Sequence, residues 1–358
     1  MKRKLLLAAG VLILAAAGLA LFGRGWLAER AFQSALDKSV GVDQTAAFAD
    51  GLHLYVCGSG SPMPDANRAG PCLAVLAGQQ AFVFDAGSGS IRKLQRMGFP
   101  MPRLQAAFLT HLHSDHIDGL GELLLQAWVA GGRSAPLPVY GPAGTDKVIS
   151  GLRSAYEIDE GYRVAHHGPK VVHPGGFGGA EQIITLPDGT DSQVVYDQGG
   201  VKITVIRVNH APIDPAFGYR IDYKGRSIAL SGDTVYSPTF TAAAKGADLM
   251  LHEALNKKMV AALGEKLGER GQAANAQIMK DIQNYHASPE DAARSAREAG
   301  VQALVLYHLV PAPPVRLIEP MFLGDAPKVF SGTLRLAEDG MLIHLPASSK
   351  AVEFTSAF

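Results

Sequence analysis

Apolar and polar residues follow two alternating rhythms along this chain. "LHLYVCG" (52–58) reads as a strand and "CLAVLAGQQAFVFDAG" (72–87) as a hairpin, with apolar runs broken by glycines. "RLQAAFLT" (103–110) predicts another strand. "IDGLGELLLQAWVAGG" has helical apolar spacing and stops at a glycine pair. "LPVYGPAGTDKVISGLRSAYE" repeats strand then helix, and residues 156–200 read as irregular and glycine-rich. "VKITVIRVNH", "FGYRIDY" and "RSIALSGDT" then predict three strands and "DLMLHEA" a fourth; two helices precede "QALVLYHL". Two comparable halves of this kind predict an α/β sandwich with helices on both outer faces, folded as one domain.

The first 50 residues follow neither rhythm. Lys2, Arg3 and Lys4 precede an uncharged run from Leu5 to Gly23. A helix over that run spans roughly 28 Å, about the hydrocarbon thickness of a bilayer. It predicts a signal peptide, with Ala15, Ala16 and Ala17 before the cut, or an uncleaved anchor, since the run continues past that point. The anchor is preferred, and both place the rest of the chain on the far side of the inner membrane, periplasmic or extracytoplasmic. Residues 24–50 read as a stalk, 51–345 as the catalytic body and 346–358 as a tail.

Composition narrows the picture. The chain has 358 residues, 47 % hydrophobic, with 33 basic and 33 acidic side chains, so no global charge draws it toward nucleic acid. The two cysteines, Cys57 and Cys72, flank a turn; they read equally as a disulfide of an exported chain and as small buried residues on adjacent strands.

The chemistry concentrates in "THLHSDH". His111 and His113 alternate, so extended backbone can aim both imidazoles at one point, and Asp115 and His116 follow a turn toward a second. So many imidazoles in six positions need a cation to be satisfied. Three later strand ends offer His210, Asp233 and His308. A bridging Asp233 then gives His111, His113, His210 and Asp233 around one ion, and Asp115, His116, Asp233 and His308 around the other.

With "SGDT" and "YHL", these motifs resemble the metallo-β-lactamase superfamily over most of residues 51–345. The resemblance implies a four-layer αββα sandwich with two Zn2+ at the sheet edge. His113, where di-iron relatives differ, points to zinc, and the lack of cysteine beyond Cys72 removes the cysteine-ligated β-lactamase arrangement. "GSGSP", "RAGPC", "FGYRIDYKGRSIALSGDT", "LHEA" and "HASPEDA" are similar to the tRNase Z and arylsulfatase-like branch. That similarity makes His286 the candidate general acid, Glu253 the group that raises its proton affinity, and Asp85 the carboxylate that orients a metal-bound imidazole. Asp115 is counted with His286 and Glu253 as catalytic. Tyr307 departs from the Thr or Ser common in the branch. His53 and His344 read as structural strand residues, His252 as a support for Glu253, and His166, His167 and His173 as part of a surface loop.

The branch's tRNA-processing members place a glycine- and lysine-rich arm between the third histidine ligand and the bridging aspartate. Here only 23 residues separate His210 from Asp233, and residues 151–200 hold seven acids against three bases. The expectation is therefore a small sulfate ester as substrate, an aryl or alkyl one first, with phosphodiesters close behind and no nucleic acid. A lactonase, a tRNase Z-type endoribonuclease and a non-catalytic membrane-anchored binding module are the alternatives; a homodimer is compatible with such a chain.

Overall fold

The computed structural model describes the backbone of residues 2–358 and the side chains from Gly23 onward, with Lys4, Gly10, Val11 and Gly18 before it. It divides into two compact units, residues 1–47 and 48–358. In the first, α1 (Lys2–Ser39) is one unbroken helix. The expected signal or anchor of residues 1–23 lies largely outside the described side chains. Among the described residues no helix is long and apolar enough to cross a membrane.

The second unit holds, in chain order, β1 (Gly51–Gly58), β2 (Cys72–Ala77), β3 (Gln80–Phe84), α2 (Ser90–Arg96), β4 (Leu104–Phe108), α3 (Ser114–Ile117), α4 (Leu120–Val129), β5 (Leu137–Gly141), α5 (Thr145–His167), β6 (Gly179–Ile183), β7 (Ser192–Gln198), β8 (Val201–His210), β9 (Ile213–Tyr223) and β10 (Arg226–Leu230). There follow α6 (Pro238–Ala243), β11 (Leu249–Leu255), α7 (Lys257–Glu269), α8 (Ala273–Asp281), α9 (Pro289–Ala299), β12 (Ala303–Val310), α10 (Glu319–Leu323), α11 (Ala326–Val329), β13 (Thr333–Leu336), β14 (Met341–Pro346) and β15 (Glu353–Ser356). One mixed sheet has the order β15-β14-β1-β2-β3-β4-β5-β6, the other β13-β12-β11-β10-β9-β8-β7.

The sheets face each other through Leu54, Phe82 and Phe108 on one side and Ile203, Phe217, Tyr219 and Leu251 on the other. Ile91, Leu94, Leu120 and Leu123 of α2 and α4 cover the outer face of the first sheet. Phe240, Ala292, Ala296 and Phe322 of α6, α9 and α10 cover that of the second. Strands buried on both faces are apolar at nearly every position, which is why β1, β2 and β12 read as near-continuous runs, interrupted only by His53 in β1 and His308 in β12. The layers are the αββα sandwich that the sequence implied.

Three stretches differ from expectation. Residues 156–200 are not irregular throughout: α5 runs on to His167, braced by an Asp159–Arg163 ion pair one turn apart, and β6 and β7 join one sheet each. Their solvated faces hid these elements from an apolar-periodicity reading. Residues 346–358 are not simply a tail, because β15 pairs with β14. Phe48 precedes the expected start of the body yet packs on the rings of His53 and His344, at 4.7 and 4.8 Å. Cys57 and Cys72, on adjacent strands, form a disulfide.

Candidate active site

Six strands, β3, β4, β8, β10, β11 and β12, build the site at or near their ends. β4 stops at Phe108 because Asp85 takes over its partners: the Asp85 amide donates to the Phe108 carbonyl at 2.9 Å, and Asp85 Oδ1 accepts the Thr110 amide at 2.8 Å. Asp85 holds this place with φ at +56°, a conformation uncommon outside glycine. The chain then runs extended, so His111 Nε2 and His113 Nδ1 come within 2.9 Å. The single turn of α3 returns Asp115 and His116 to the same point. His210 ends β8, Asp233 follows β10, and Glu253 lies in β11.

His308 depends on a local irregularity. Glu253 pairs with Tyr307 and Ala254 with Leu309, so His308 is the extra residue of a bulge, with φ at +47°. The bulge re-aims its imidazole, bringing Nε2 within 3.3 Å of both Asp115 Oδ2 and Asp233 Oδ2.

Asp233 Oδ2 is the centre of the arrangement. It lies 3.3 Å from His308 Nε2, 3.4 Å from His116 Nε2, 3.9 Å from His210 Nε2 and 4.0 Å from His111 Nε2. His111, His113, His210 and Asp233 form one set of candidate ligands whose atoms all lie within 4.8 Å of one another, and Asp115, His116 and His308 form a second. Asp233, His286 and His308 form a third, overlapping set.

Neighbours fix which nitrogen faces inward. Thr110 Oγ1 donates to Asp85 Oδ2 at 2.8 Å and accepts from His111 Nδ1 at 3.0 Å. His116 Nδ1 donates to Asp85 Oδ2 at 2.8 Å, and His210 Nδ1 to the Tyr285 carbonyl at 2.9 Å. Each contact turns Nε2 toward the centre, the usual partner logic of metal-bound imidazoles. His116 Nε2, His210 Nε2 and Asp233 Oδ1 are buried without a hydrogen-bond partner. Orphaned buried lone pairs are costly, and a cation is what this donor set fits.

Electrostatics agree. Burial holds His111 well below the ordinary imidazole range and lowers His113 and His210, leaving them neutral and ready to ligate. Burial works against charge on Asp233, yet His308 and His116 hold it well below the usual carboxylate range. Burial also opposes charge on His116, but Asp233 and Asp85 raise it well above normal. The field between them favours any cation there, a proton or a divalent ion.

Beside this centre Glu253 is buried, and its Oε1 accepts from His286 Nδ1 at 2.9 Å and from the amides of Thr234 and Ala287 at 3.1 Å. Burial weakens the proton affinity of His286, but Glu253 more than offsets this and raises its pKa to about 9. The Ser288–Asp291 capping box, with Pro289 at the first helical position, fixes the chain two residues beyond.

Seven predicted ligands, Asp85, Glu253 and His286 thus come together. Thr110 and Tyr285 were missed: Thr110 was legible only as a neighbour of His111, Tyr285 only by standing before His286. The other histidines stand apart. His252 Nδ1 donates to the Glu253 carbonyl, His53 bonds His344, and His173 accepts from the Gly175 amide. His166 and His167 pair with each other and join no candidate ligand set among the described residues.

A cavity of about 630 Å³ opens over the centre, lined by His113, Asp115, Asp233, His286 and His308 on its floor. Fold and site together define a metal-dependent hydrolase with a dinuclear His/Asp centre. Residues 80–309 match the model of the beta-lactamase superfamily domain. The chain is 36% identical over 300 residues to a ribonuclease Z of Mycobacterium avium, covering 83% of this chain and 100% of the relative. It is 38% identical over 263 residues to one of Mycobacterium bovis, covering 73% and 87%. The short form of human tRNase Z shares the fold, with a TM-score of 0.59 at 22% identity over 82% of this chain and 99% of that one. The chain belongs to the metallo-β-lactamase superfamily.

Proposed function

We propose that this chain is a dinuclear zinc phosphodiesterase, acting outside the cytoplasm. The observation that carries the reading is Asp233 Oδ2 set between two groups of ligands, with the Glu253–His286 pair beside them. His111, His113, His210 and Asp233 would hold one ion; Asp115, His116, His308 and the same Asp233 the other. A ligand set of imidazole and carboxylate alone suits zinc. Two such ions would acidify a shared water and draw charge from the ester's oxygens.

The chain's own residues supply the rest. Asp115, facing the cavity, orients the attacking water. As the water's oxygen bonds to phosphorus, the bond from phosphorus to the leaving oxygen breaks and that oxygen takes the bond's electron pair. His286, held by Glu253 through Nδ1, gives the leaving oxygen its proton and regains one from the water. Asp85 and Thr110 keep the imidazoles of His111 and His116 in the ligating tautomer.

Phosphodiesters take first place over sulfate esters because the similar proteins are ribonucleases, whose bond is a phosphodiester. Those names also favour an RNA end as the second reading. The Cys57–Cys72 bond, typical of oxidising compartments, and the basic, then apolar N-terminus support export. The test is metal analysis of the full chain with parallel turnover of bis-p-nitrophenyl phosphate, p-nitrophenyl sulfate and a 3′-extended tRNA. Diester turnover with two zinc per chain supports the reading; sulfate turnover alone returns it to a sulfatase, and failure to bind metal sinks it.

A further inference from the structure

Beyond the polar groups on its floor, the cavity over the metal centre is lined mainly by apolar side chains, with Asn275 of α8, Ser114 and Tyr285 the neutral polar ones among them. Leu263 and Leu267 of α7, Ile278 and Met279 of α8, Ile282 beyond it, and Met63 from the loop between β1 and β2 supply most of that apolar lining. Among the described residues no Lys or Arg lines the cavity. The hairpin of α7 and α8 is anchored at its base, where Met279 and Ile282 pack on Leu255, Val260 and Val310. Beyond that base it spends apolar side chains on the cavity: α8 buries no residue, and Ile278 is 50% exposed at the mouth.

We propose that this hairpin forms a subsite for an apolar ester group, an aryl ring or a medium alkyl chain, so that the substrate is a small phosphodiester with one apolar arm. The inference rests on the phosphodiesterase reading and narrows it. A volume of about 630 Å³ suits a ligand of a few hundred daltons, buried against apolar walls and oriented by few polar groups. A polynucleotide makes the opposite demand: its affinity comes largely from cations against successive phosphates, and these walls offer none. An apolar arm is held by the same walls through water release alone. The floor takes one phosphate, and the walls determine what that phosphate carries.

The test uses the full, zinc-loaded chain and trifluoroethyl phosphodiesters, whose common leaving group is not aryl, with methyl, hexyl, phenyl or a nucleoside as the second group and trifluoroethanol release followed by fluorine NMR. The expected result is a kcat/KM at least roughly tenfold higher for the hexyl and phenyl esters than for the methyl and nucleoside ones. Ile278→Ser and Leu263→Ser should each shrink the hexyl-to-methyl ratio several-fold. In parallel, calorimetry compares phenyl hexylphosphonate with methyl methylphosphonate, neither of which need turn over. Equal kcat/KM across the series, or a ratio indifferent to both variants, overturns the subsite, as does faster cleavage of a 3′-extended RNA than of any apolar diester. If no diester turns over while the hexyl phosphonate binds at least tenfold more tightly and loses that advantage in Ile278→Ser, the subsite stands and the phosphodiesterase reading falls. Equal binding of the two phosphonates overturns the subsite whatever the turnover.

Discussion

Asp85 illustrates how much a single carboxylate can fix. Its oxygens take the Thr110 amide, the Thr110 hydroxyl and His116 Nδ1, so it sets both the end of β4 and the direction of two ligands. Asp85→Asn keeps the size but loses an acceptor, and should weaken metal affinity by roughly 10–100-fold, read by competition with a chelator. His286→Ala should lower kcat by about 10²–10⁴ for alkyl leaving groups and much less for p-nitrophenolate, which leaves without a proton. A proton donor must be protonated to work. With its pKa raised to about 9 by Glu253, against the pull of burial, the alkyl-ester rate should fall as pH rises through about 9, and that limb should vanish in His286→Ala.

At the scale of elements, β1 and β14 meet through His53 and His344, whose Nδ1 atoms lie 2.8 Å apart. One must donate and the other accept, so protonating both breaks the bond. Burial lowers the proton affinity of each below the ordinary value near 6.5. The folded chain then binds these protons more weakly than the unfolded one, so the stability is whole above about pH 6.5 and is lost as pH falls below it. A melting temperature that drops between pH 6.5 and 5, with a smaller drop in His344→Gln, is the expected result. The Cys57–Cys72 bond closes a short loop between β1 and β2, with a sequence separation of 15. Replacing both cysteines by serine should cost about 3 kcal/mol in denaturant midpoint measurements. Asp339 helps keep that loop in place: its carboxylate accepts from the Ser59 and Ala69 amides and from Lys93.

For the whole molecule, the metal centre is also a fold constraint. Seven ligands from both sheets crowd buried nitrogens around Asp233, and bound metal stabilises only the folded state. Chelation should lower the melting temperature of the second unit, and Asp233→Ala should remove most of that metal dependence.

The sequence by itself determined the α/β class and the set of candidate ligands, because "THLHSDH" keeps four of them within one local stretch, where backbone alternation and a single turn suffice to aim them. It also located Asp233, Glu253 and His286, each next to a readable strand end or cap. It could not place β6, β7 and β15, which lie at sheet margins with solvated faces that mask their periodicity. It left the disulfide open, since register alone puts Cys72 opposite Gly58 and beside Cys57. Only the tertiary structure decided that a bulge turns His308 inward and that Tyr285 orients His210. The apolar walls from α7 and α8 could not be read locally either, because side chains on separate elements acquire a common chemistry only when the packed sheets bring them to one cavity.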